Sequence, residues 1–260
     1  MANLGVRLDG KHALIIGARS GIGLAVSEAY IEYGAEVTIF AIDDTIHEAA
    51  HKLKEIFGSS VKSLQCDVAD QEALRTAMAE IVRIGVLVCD AGFERLTPVT
   101  RQNPDVKENF HKIFDVNLFG VLYATHEALS KIPDGGRIIY TASTYSKYEI
   151  SQMSGYSASK HGFLVMMRSF FQDLGSHRIT VNAICPGWVN TEFSNRSVRE
   201  IATDTGRGIQ DVGNDVLTMQ AIPGYLEPQD MVGEYLFLAS DLARDITGQS
   251  RHIDRGECQN

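Results

Sequence analysis

The 260-residue sequence predicts an α/β fold, a doubly wound parallel sheet of about seven strands with helices on both faces. Short β-rich runs alternate with longer stretches of helical pattern, and the connections between them are mostly short. The runs are apolar almost throughout, which is typical of strands that are covered on both faces. The length suits one large domain or two small ones, and without a linker or repeat we interpret residues 1–260 as one domain.

Seven segments have the composition of buried strands. They are HALII (12–16), EVTIF (36–40), VKSLQ (61–65), VLVC (86–89), GRIIYTA (136–142), RITVNAI (178–184) and SRHID (250–254).

Six longer segments between these strands have helical patterns, and Gly34, Gly58 and Gly175 are predicted to end three of them. The predicted helices cover residues 21–34, 45–58, 70–82, 115–132, 154–175 and 228–240.

Residues 187–226 interrupt the alternation of strands and helices. The segment is long, polar and glycine-containing, and it follows the carboxyl end of a predicted strand, where ligands bind in open α/β sheets. Connections of this length are usually functional lids or disordered segments. We predict a substrate lid here, with room for a short helix.

The amino-acid composition limits the kinds of molecule that the protein could bind. The formal net charge of −9 disfavours binding to nucleic acid or to an anionic membrane surface, and it suits simple solubility. The amino-terminal ten residues lack the shape of a signal peptide, and no apolar run is long enough to span a membrane.

The four cysteines predict free thiols. Cys66, Cys89 and Cys185 lie at the ends of short apolar runs, as buried thiols do, and Cys258 lies near the carboxyl terminus. No pair has the spacing of metal ligands, so we expect no metal site and a reducing, cytoplasmic location.

A glycine-rich turn follows the first predicted strand. Gly17, Gly21 and Gly23 have the spacing G-x-x-x-G-x-G and immediately precede a helix. Glycines permit close approach of the backbone, and a helix N-terminus offers unpaired N–H groups to a pyrophosphate. The turn lacks a G-K-[ST] ending, which argues against a P-loop nucleotidase. A tight turn without a ligand is the alternative interpretation.

The motif YSASK places Tyr156 and Lys160 about one helical turn apart, on the same face of a predicted helix. The pair could perform acid–base chemistry, or it could be a chance arrangement on a surface helix. The pattern is too short to decide between these alternatives by itself.

Considered with several further segments, these motifs resemble the short-chain dehydrogenase/reductase family in its form of roughly 250 residues. The resemblance covers essentially the whole chain and implies a Rossmann-like fold. Two departures are Ile16, where the family usually has threonine, and Cys89–Asp90, where it usually has two asparagines. The matching segments are GARSGIG (17–23), CDV (66–68), CDAG (89–92), DVNLFG (115–120), TAST (141–144), YSASK (156–160), PGWVNT (186–191), EPQDMVGEYLFLAS (227–240) and ITGQ (246–249).

The resemblance implies four catalytic residues, Asn117, Ser143, Tyr156 and Lys160. Tyr156 would be the base that takes the hydroxyl proton of an alcohol, and the ammonium of Lys160 would lower the pKa of its phenol. Lys160 would also hold the ribose hydroxyls of the cofactor. Ser143 would orient the substrate oxygen, and Asn117 would bind a water that connects Lys160 to solvent.

The resemblance also implies a dinucleotide cofactor, NAD or NADP, which would accept the hydride. The implied cofactor-binding residues are Gly17, Arg19, Ser20, Gly21, Ile22, Gly23, Ile42, Asp67, Val68, Asp90, Ala91, Gly92, Tyr156, Lys160, Pro186, Gly187, Val189 and Thr191.

Residues after the second strand favour NAD over NADP. Ala41 stands where NAD enzymes of the family often have an acid, and Ile42 stands where NADP enzymes often have arginine. The charges of Asp43 and Asp44 would repel a 2′-phosphate. Arg19 could bind a phosphate, although the basic residue of NADP relatives usually stands one place later, where this chain has Ser20.

The substrate is less constrained by the sequence. Glu94, Glu149, Glu192 and Tyr145 could form hydrogen bonds with several hydroxyl groups, and Ser143 would contact the reacting oxygen. Tyr145 and Met153 stand where relatives of the hydroxybutyrate type carry histidine and lysine, which leaves Arg95 as a candidate cation for an acid. We predict a neutral sugar or polyol, with solvated rim acids as the alternative. Trp188 would stack on a ligand or pack the lid.

Two other functions compete with an NAD-dependent sugar or polyol dehydrogenase. One is an NADPH-dependent carbonyl reductase, including the 3-oxoacyl-carrier-protein type. The other is a dinucleotide-binding redox sensor without catalysis, which the presence of Ser143, Tyr156 and Lys160 disfavours. The resemblance further implies a homotetramer, with the helices at 105–131 and 155–174 at its interface, although their apolar residues would suit a monomer core equally well.

Overall fold

The computed structural model describes residues 6–58, 61–101 and 104–258. Within these ranges, seven strands form one parallel sheet in the order β3-β2-β1-β4-β5-β6-β7. This confirms the predicted fold class. The amino-terminal residues 1–5, on which the expectation of no signal peptide partly depends, lie outside the described residues. The strands are β1 (His12–Ile16), β2 (Glu36–Ala41), β3 (Lys62–Gln65), β4 (Val86–Cys89), β5 (Arg137–Thr141), β6 (Thr180–Pro186) and β7 (Ser250–Ile253).

Each strand lies within two residues of its predicted bounds, and β6 differs most. It begins at Thr180 because Arg178 adopts a left-handed conformation with φ +56°. It continues through Cys185 and Pro186 because both residues pair in register with β7. A proline tolerates this position at the end of a strand because it removes only one donor from the ladder.

The helices lie on the two faces of the sheet, and the six predicted helices each have a counterpart. Three more helices lie at 104–114, inside the span 105–131 given for the tetramer interface but outside the six predicted helices, and at 192–205 and 209–218, where the lid segment was predicted to have room for one short helix. None of the helices in the described ranges has both the length and the apolar character that crossing a membrane requires. The bounds are α1 (Gly21–Glu32), α2 (Thr45–Phe57), α3 (Gln71–Ala79), α4 (Pro104–Phe114), α5 (Val121–Leu129), α6 (Ser154–Leu174), α7 (Glu192–Thr205), α8 (Ile209–Thr218) and α9 (Pro228–Ala239).

Glycines end the first two helices as predicted. Gly34 has φ +97° and Gly58 has φ +68°, a region that costs glycine little. The third prediction needs a correction. Helix α6 does end before Gly175, but Gly175 has a φ of −60° and begins a short 3₁₀ turn, Gly175–His177. Arg178 takes the left-handed conformation instead.

The side chains of the central strand β1 alternate between the two faces of the sheet, which explains why its apolar residues follow one another without interruption. Ala13 and Ile15 pack on one face of the sheet, together with residues of α1, α2 and α9. Leu14 and Ile16 pack on the opposite face, with residues of α3, α5 and α6. Because both faces are covered, β1 has no solvent-facing position that would require a polar residue.

The lid segment, residues 187–226, is more ordered than predicted. It contains α7 and α8, of 14 and 10 residues, instead of one short helix. Val198 and Ala202 of α7 pack with Val212 and Val216 of α8 in a separate small core. A β-bridge between Val189 and Leu226 joins the two ends of the segment.

Candidate active site

A cleft of about 450 Å³ opens at the carboxyl ends of the strands. Strands β1 and β4 are neighbours in the sheet, and the chain runs outwards from them in opposite directions. Such a switch in strand order creates a crevice in which open α/β sheets bind ligands. The glycine turn, the ends of β4 and β5, the start of α6 and the beginning of the lid segment all contribute to the walls.

The glycine turn is held tightly against the segment that follows β4. The Gly17 N–H donates to the Phe40 carbonyl at 2.8 Å, and the N–H groups of Asp90 and Ala91 donate to the Ile16 carbonyl at 2.8 and 2.9 Å. Gly17 has φ +96°, and a Cβ at this position would lie only 2.7 Å from the Cα of Ala91. The turn therefore requires glycine for its conformation and for its close approach.

Asp90 explains one departure from the family pattern. One carboxylate oxygen accepts the Gly23 N–H at 2.9 Å, and the other accepts the Thr141 hydroxyl at 2.6 Å. An asparagine would offer a single carbonyl oxygen here. Burial raises the pKa of Asp90 to about 7, against the opposing effects of the Thr141 hydrogen bond and the Lys160 ammonium. A buried, ionisable group therefore lies beneath the glycine turn.

Tyr156 and Lys160 lie in the first two turns of α6, with 6% and 5% of their surfaces exposed. The Lys160 ammonium donates to the Thr141 carbonyl at 2.9 Å and lies 5.7 Å from the centre of the Tyr156 ring. Burial lowers the pKa of Lys160 to about 8, and the Asp90 carboxylate opposes this shift. The helix therefore brings both side chains into the cleft, as the motif predicted.

The expected lowering of the Tyr156 pKa is wrong for this structure. Burial raises the pKa of the phenol above its ordinary value, and the nearby Glu94 carboxyl raises it further. Ser143 opposes this shift, but its effect is smaller. Desolvation of the phenolate is thus the dominant effect on the Tyr156 pKa.

Ser143 and Asn117 lie on either side of this pair. Ser143 follows β5 and lines the cleft together with Tyr156. Asn117 is fully buried in a π-helical turn, Asp115–Gly120, between α4 and α5. Its amide exchanges two hydrogen bonds with the backbone of Phe93, at 2.7 and 2.9 Å, and donates to Ser159 at 3.1 Å. Asn117 therefore fixes the segment after β4, and its role in a water relay stays a prediction.

Glu94 is the most buried acid on the substrate side, with 5% of its surface exposed. Its Oε1 atom finds no hydrogen-bond partner among the residues that the structure describes. Burial raises the pKa of Glu94 to about 8, with the Arg196 guanidinium opposing the shift. At neutral pH the carboxyl group therefore holds a proton and can donate it in a hydrogen bond.

Arg196 is a residue that the sequence analysis missed. It lines the cleft from α7 and donates to the Glu94 carbonyl at 3.3 Å. Its Nε atom is buried and lacks a hydrogen-bond partner in the described part of the chain. Arg196 stands four residues after Glu192, which also lines the cleft, so a helical reading of the lid segment would have found it.

Four predicted substrate residues are not part of the cleft lining, namely the buried Glu94 together with Tyr145, Glu149 and Trp188. The Trp188 indole donates to the Tyr145 hydroxyl at 3.1 Å, and both side chains are buried in the small core beneath the lid helices. Tyr145 contacts Tyr156 edge-on, with ring centres 6.4 Å apart. Glu149 is exposed. Trp188 thus packs the lid, which is the second of its two predicted roles, and Tyr145 supports the Tyr156 ring.

The opposite end of the cleft holds the residues that would discriminate between NAD and NADP. Ile42 lines the cleft, and Asp43 forms an ion pair with Arg19 at 3.0 Å. Asp67 also lines this end, and its side chain accepts the Ala69 N–H at 2.9 Å. Arg19 is therefore partly neutralised where it reaches the cleft.

The structure brings nearly all predicted cofactor residues together. Gly23 is the exception, because it lies behind the cleft wall, where a Cβ would lie 3.0 Å from the Asp90 carboxylate. The predicted residues that line the cleft are Gly17, Arg19, Ser20, Gly21, Ile22, Ile42, Asp67, Val68, Asp90, Ala91, Gly92, Tyr156, Lys160, Pro186, Gly187, Val189 and Thr191.

Comparisons with known proteins agree with this geometry. The model of a family described as enoyl-(acyl carrier protein) reductase matches residues 17–257. The chain is 33% identical over 263 residues to versicolorin reductase 1 of Aspergillus parasiticus, covering 96% of this chain and 97% of that protein. It is 29% identical over 258 residues to D-beta-hydroxybutyrate dehydrogenase of Cupriavidus necator, covering 96% and 98%.

Solved structures show the same fold. Carveol dehydrogenase from Mycobacterium avium, in complex with NAD, is similar with a TM-score of 0.87 and 27% identity, covering 97% of this chain and 99% of that one. A protein assigned as an NAD(P)-dependent gluconate 5-dehydrogenase, from Beutenbergia cavernae and with bound NADP, has the same TM-score and identity, covering 97% and 98%. Sequence, fold and cleft together show that the chain belongs to the short-chain dehydrogenase/reductase family of oxidoreductases.

Proposed function

We propose that this protein transfers a hydride between NAD and a secondary alcohol or its carbonyl, with a sugar or polyol as the substrate. The observation that carries the proposal is the position of Tyr156, which lines one cleft together with Ser143, Lys160 and the glycine turn. A base for the hydroxyl proton and a binding site for a hydride acceptor are the two parts that alcohol oxidation needs.

Ser143, Tyr156 and Lys160 have separate roles in the proposed proton transfer. Ser143 holds the substrate oxygen beside Tyr156, and the phenolate of Tyr156 takes the hydroxyl proton. NAD, when bound, would supply the hydride acceptor and a positive nicotinamide charge that would favour the phenolate of Tyr156 over the phenol. Lys160 is held by the Thr141 carbonyl and leaves two further N–H donors for the ribose hydroxyls. In the reverse direction, Tyr156 returns the proton to the carbonyl oxygen.

The polar groups on the substrate side support a substrate with several hydroxyls. A protonated Glu94 can both donate and accept a hydrogen bond, and Arg196 and Glu192 add a donor and an acceptor from α7. A buried polar group without a partner costs about 1–3 kcal/mol, which a substrate hydroxyl in the right position would recover. A simple apolar alcohol would leave these groups unpaired.

The cofactor preference for NAD is supported by the ion pair between Arg19 and Asp43. A 2′-phosphate near Arg19 would also lie near the Asp43 carboxylate, and the two negative charges would repel each other. Ala41 and Ile42 supply no charge that would offset this repulsion. The NAD complex of carveol dehydrogenase shows that a relative of this fold accepts NAD.

A second candidate is an NADPH-dependent carbonyl reductase, including the 3-oxoacyl type. The observation that favours it is Arg19 itself, which lines the cleft with about half of its side chain exposed. If Arg19 leaves Asp43, its guanidinium could bind a 2′-phosphate. The similarity to versicolorin reductase 1 is consistent with a reductase.

A panel of initial rates would separate these functions. Sugars, polyols, simple secondary alcohols and hydroxy acids would each be tested with NAD and NADP, and the corresponding carbonyl compounds with NADH and NADPH. We expect the highest kcat/KM with NAD and a sugar or polyol. Turnover confined to NADPH and carbonyl compounds would favour the second candidate. Turnover confined to hydroxy acids would contradict the sugar or polyol assignment and identify Arg196 as the carboxylate partner.

We also propose a homotetramer in the cytoplasm. Apolar side chains are exposed on the π-helical turn and on α6, among them Phe119 and Val165, and this supports an interface there. The cytoplasmic location is supported by the four free thiols. Native mass spectrometry should give the mass of four chains, and a monomer mass would reject the assembly.

A further inference from the structure

The carboxyl-terminal tail gathers three side chains with metal-binding chemistry behind the cleft. His252 lies in β7 and Asp254 follows it, and residues two apart in an extended chain point to the same face. A turn with positive φ at Arg255 and Gly256 then reverses the chain. The Asp254 carboxylate accepts the N–H groups of Gly256 and Cys258, at 3.0 and 2.9 Å, which places Cys258 beside it.

The imidazole of His252 lacks the partners that a buried histidine normally has. Its side chain is 8% exposed, as is that of Asp254. Both ring nitrogens are buried, and neither forms a hydrogen bond with any part of the chain that the structure describes. The nearest carboxylate oxygen, from Asp254, lies 3.7 Å from Nδ1, which is too far for a hydrogen bond. A ligand placed among these groups would satisfy the ring.

The geometry of the cluster suits one small cation. A ligand atom of His252, one of Asp254 and the Cys258 sulfur all lie within 4.8 Å of one another. Tetrahedral zinc bonds of about 2.0–2.3 Å require ligand atoms slightly closer than this, which modest side-chain rotations would provide. Each carboxylate oxygen of Asp254 keeps a second lone pair after accepting its backbone N–H.

The charges near the cluster also suit a divalent cation. Asp254 and Glu257 supply two carboxyl groups beside the Cys258 thiol, and Lys147 lines the adjoining cavity with the opposite charge. A cavity of about 200 Å³ adjoins Cys258 and Glu257 and has space for a water as a fourth ligand.

We propose that His252, Asp254 and Cys258 form a binding site for a single Zn²⁺ ion. Imidazole, carboxylate and thiolate are all established zinc ligands, and a water completes the tetrahedron. Binding releases the Cys258 thiol proton, so the metal binds to the thiolate. This site is separate from the hydride-transfer chemistry and does not depend on it.

The site would stabilise the wall of the cleft. The Gly187 N–H donates to the Ile253 carbonyl at 3.0 Å, and a Cβ at Gly187 would lie 3.0 Å from the Cα of Asp254. The tail is therefore packed directly behind the Pro186–Gly187 segment that lines the cleft. A bound ion would fix the tail against this segment.

The sequence predicts no metal site because no pair of cysteines in it has the spacing of metal ligands. This ligand set contains one cysteine, and its H-x-D-x-x-x-C spacing matches no common zinc motif. The turn after Asp254 brings the ligands together, and a turn of this kind was not predicted from the sequence.

Zinc binding to the full chain tests the proposal. Protein stripped with a chelator would be titrated with ZnSO₄ in a calorimeter, and with CoCl₂ while its absorbance is recorded. We expect one ion per chain and a thiolate-to-cobalt charge-transfer band. Cys258→Ser should abolish that band, and Cys258→Ser and His252→Gln should each weaken zinc binding by at least about 100-fold. His51→Gln is the matched control, because His51 pairs with Glu55 on an exposed helix and could bind zinc only weakly.

The melting temperature with and without zinc distinguishes a loss of zinc binding from poor folding of a variant. Zinc should raise the melting temperature of the wild-type protein and of His51→Gln, but not that of Cys258→Ser. Substoichiometric zinc, a missing charge-transfer band, or equal zinc affinity in wild type and Cys258→Ser would each overturn the proposal.

Discussion

The two ends of the cleft differ in how their polar groups are satisfied. At the glycine turn, the N–H groups of Gly17 and Gly23 donate to the Phe40 carbonyl and the Asp90 carboxylate. At the lid end, Glu94 Oε1 and Arg196 Nε are buried without a hydrogen-bond partner within the described ranges. The packing of the glycine turn is thus complete by itself, and its capacity for a ligand lies in the backbone at the uncapped N-terminus of α1. The lid end, by contrast, has side-chain groups that are unpaired in the described part of the chain.

In the proposed function, this difference separates the recognition of a constant cofactor from that of a particular substrate. The backbone shapes the glycine turn, and a change of side chain there would distort its packing. Specificity at the lid end lies in side chains on α7 and after β4, where the unmade hydrogen bonds of buried groups cost about 1–3 kcal/mol each.

Tyr156→Phe removes the proposed acid–base group, which lies between the two ends. We expect kcat/KM for alcohol oxidation to fall by about 10³-fold, within the range that a general base contributes. NAD affinity should change little, because the ring and its packing remain. Steady-state rates and NAD titration by fluorescence would measure both. Tyr33→Phe, which changes a tyrosine outside the cleft, is the matched control, and equal activity in both variants would contradict the role of Tyr156.

Gly17→Ala tests the backbone packing of the cofactor end. The new methyl group would lie 2.7 Å from the Ala91 Cα, at a residue with φ +96°, so we expect a loss of about 3 kcal/mol in the free energy of unfolding. Urea denaturation would measure it, together with NAD affinity.

Gly58→Ala provides the control for conformation alone. Gly58 has φ +68°, and no described atom lies within 4 Å of an added Cβ. Gly58→Ala should therefore lower the free energy of unfolding by only about 1 kcal/mol. If Gly17→Ala and Gly58→Ala lowered the free energy of unfolding by similar amounts, the close contact with Ala91 would not contribute to the destabilisation by Gly17→Ala.

The sequence predicts these two ends unequally, for physical reasons. Buried strands and a glycine turn have local signatures, so β1 to β7 and the positions of Gly17 and Gly21 could be predicted. The lid helices could not, because α7 and α8 bury only a few apolar residues in their own small core. The burial of Glu94 and the raised pKa of Tyr156 depend on packing from distant elements, which no local pattern encodes.

Glu94 should make stability depend on pH. Its folded-state pKa of about 8 exceeds that of an exposed carboxyl, so the folded protein keeps a proton that the unfolded chain releases. The free energy of unfolding should therefore fall as the pH rises from about 5 to 8, by up to about 1.4 kcal/mol per pH unit from this group. Urea denaturation at several pH values would measure the slope.

Glu94→Gln should reduce that slope, leaving the contribution of Asp90, whose folded-state pKa is also raised, to about 7. Glu55→Gln changes an exposed carboxylate on α2 and should leave the slope as in the wild type. An unchanged slope in Glu94→Gln would mean that Glu94 is ionised in the folded protein at neutral pH.

Asp43→Asn should have the smallest effect. It removes the charge that pairs with Arg19 at 3.0 Å, and so lowers the repulsion of a 2′-phosphate. We expect the ratio of kcat/KM with NADP to that with NAD to rise by about 2- to 5-fold, since an exposed ion pair contributes at most about 1 kcal/mol. Asp44→Asn is the neighbouring control. A ratio that stays constant would show that this pair does not set the preference.

The proposed sugar or polyol substrate depends most on Glu94, which would form hydrogen bonds with the hydroxyl groups of that substrate. The most direct test is kcat/KM for the best sugar or polyol and for a simple secondary alcohol, in the wild type, Glu94→Leu and Glu94→Gln. We predict that Glu94→Leu loses about 10- to 100-fold with the polyhydroxy substrate only, and that Glu94→Gln, which keeps a donor and an acceptor, retains most activity. Equal losses with both substrates, or no loss in Glu94→Leu, would contradict the account.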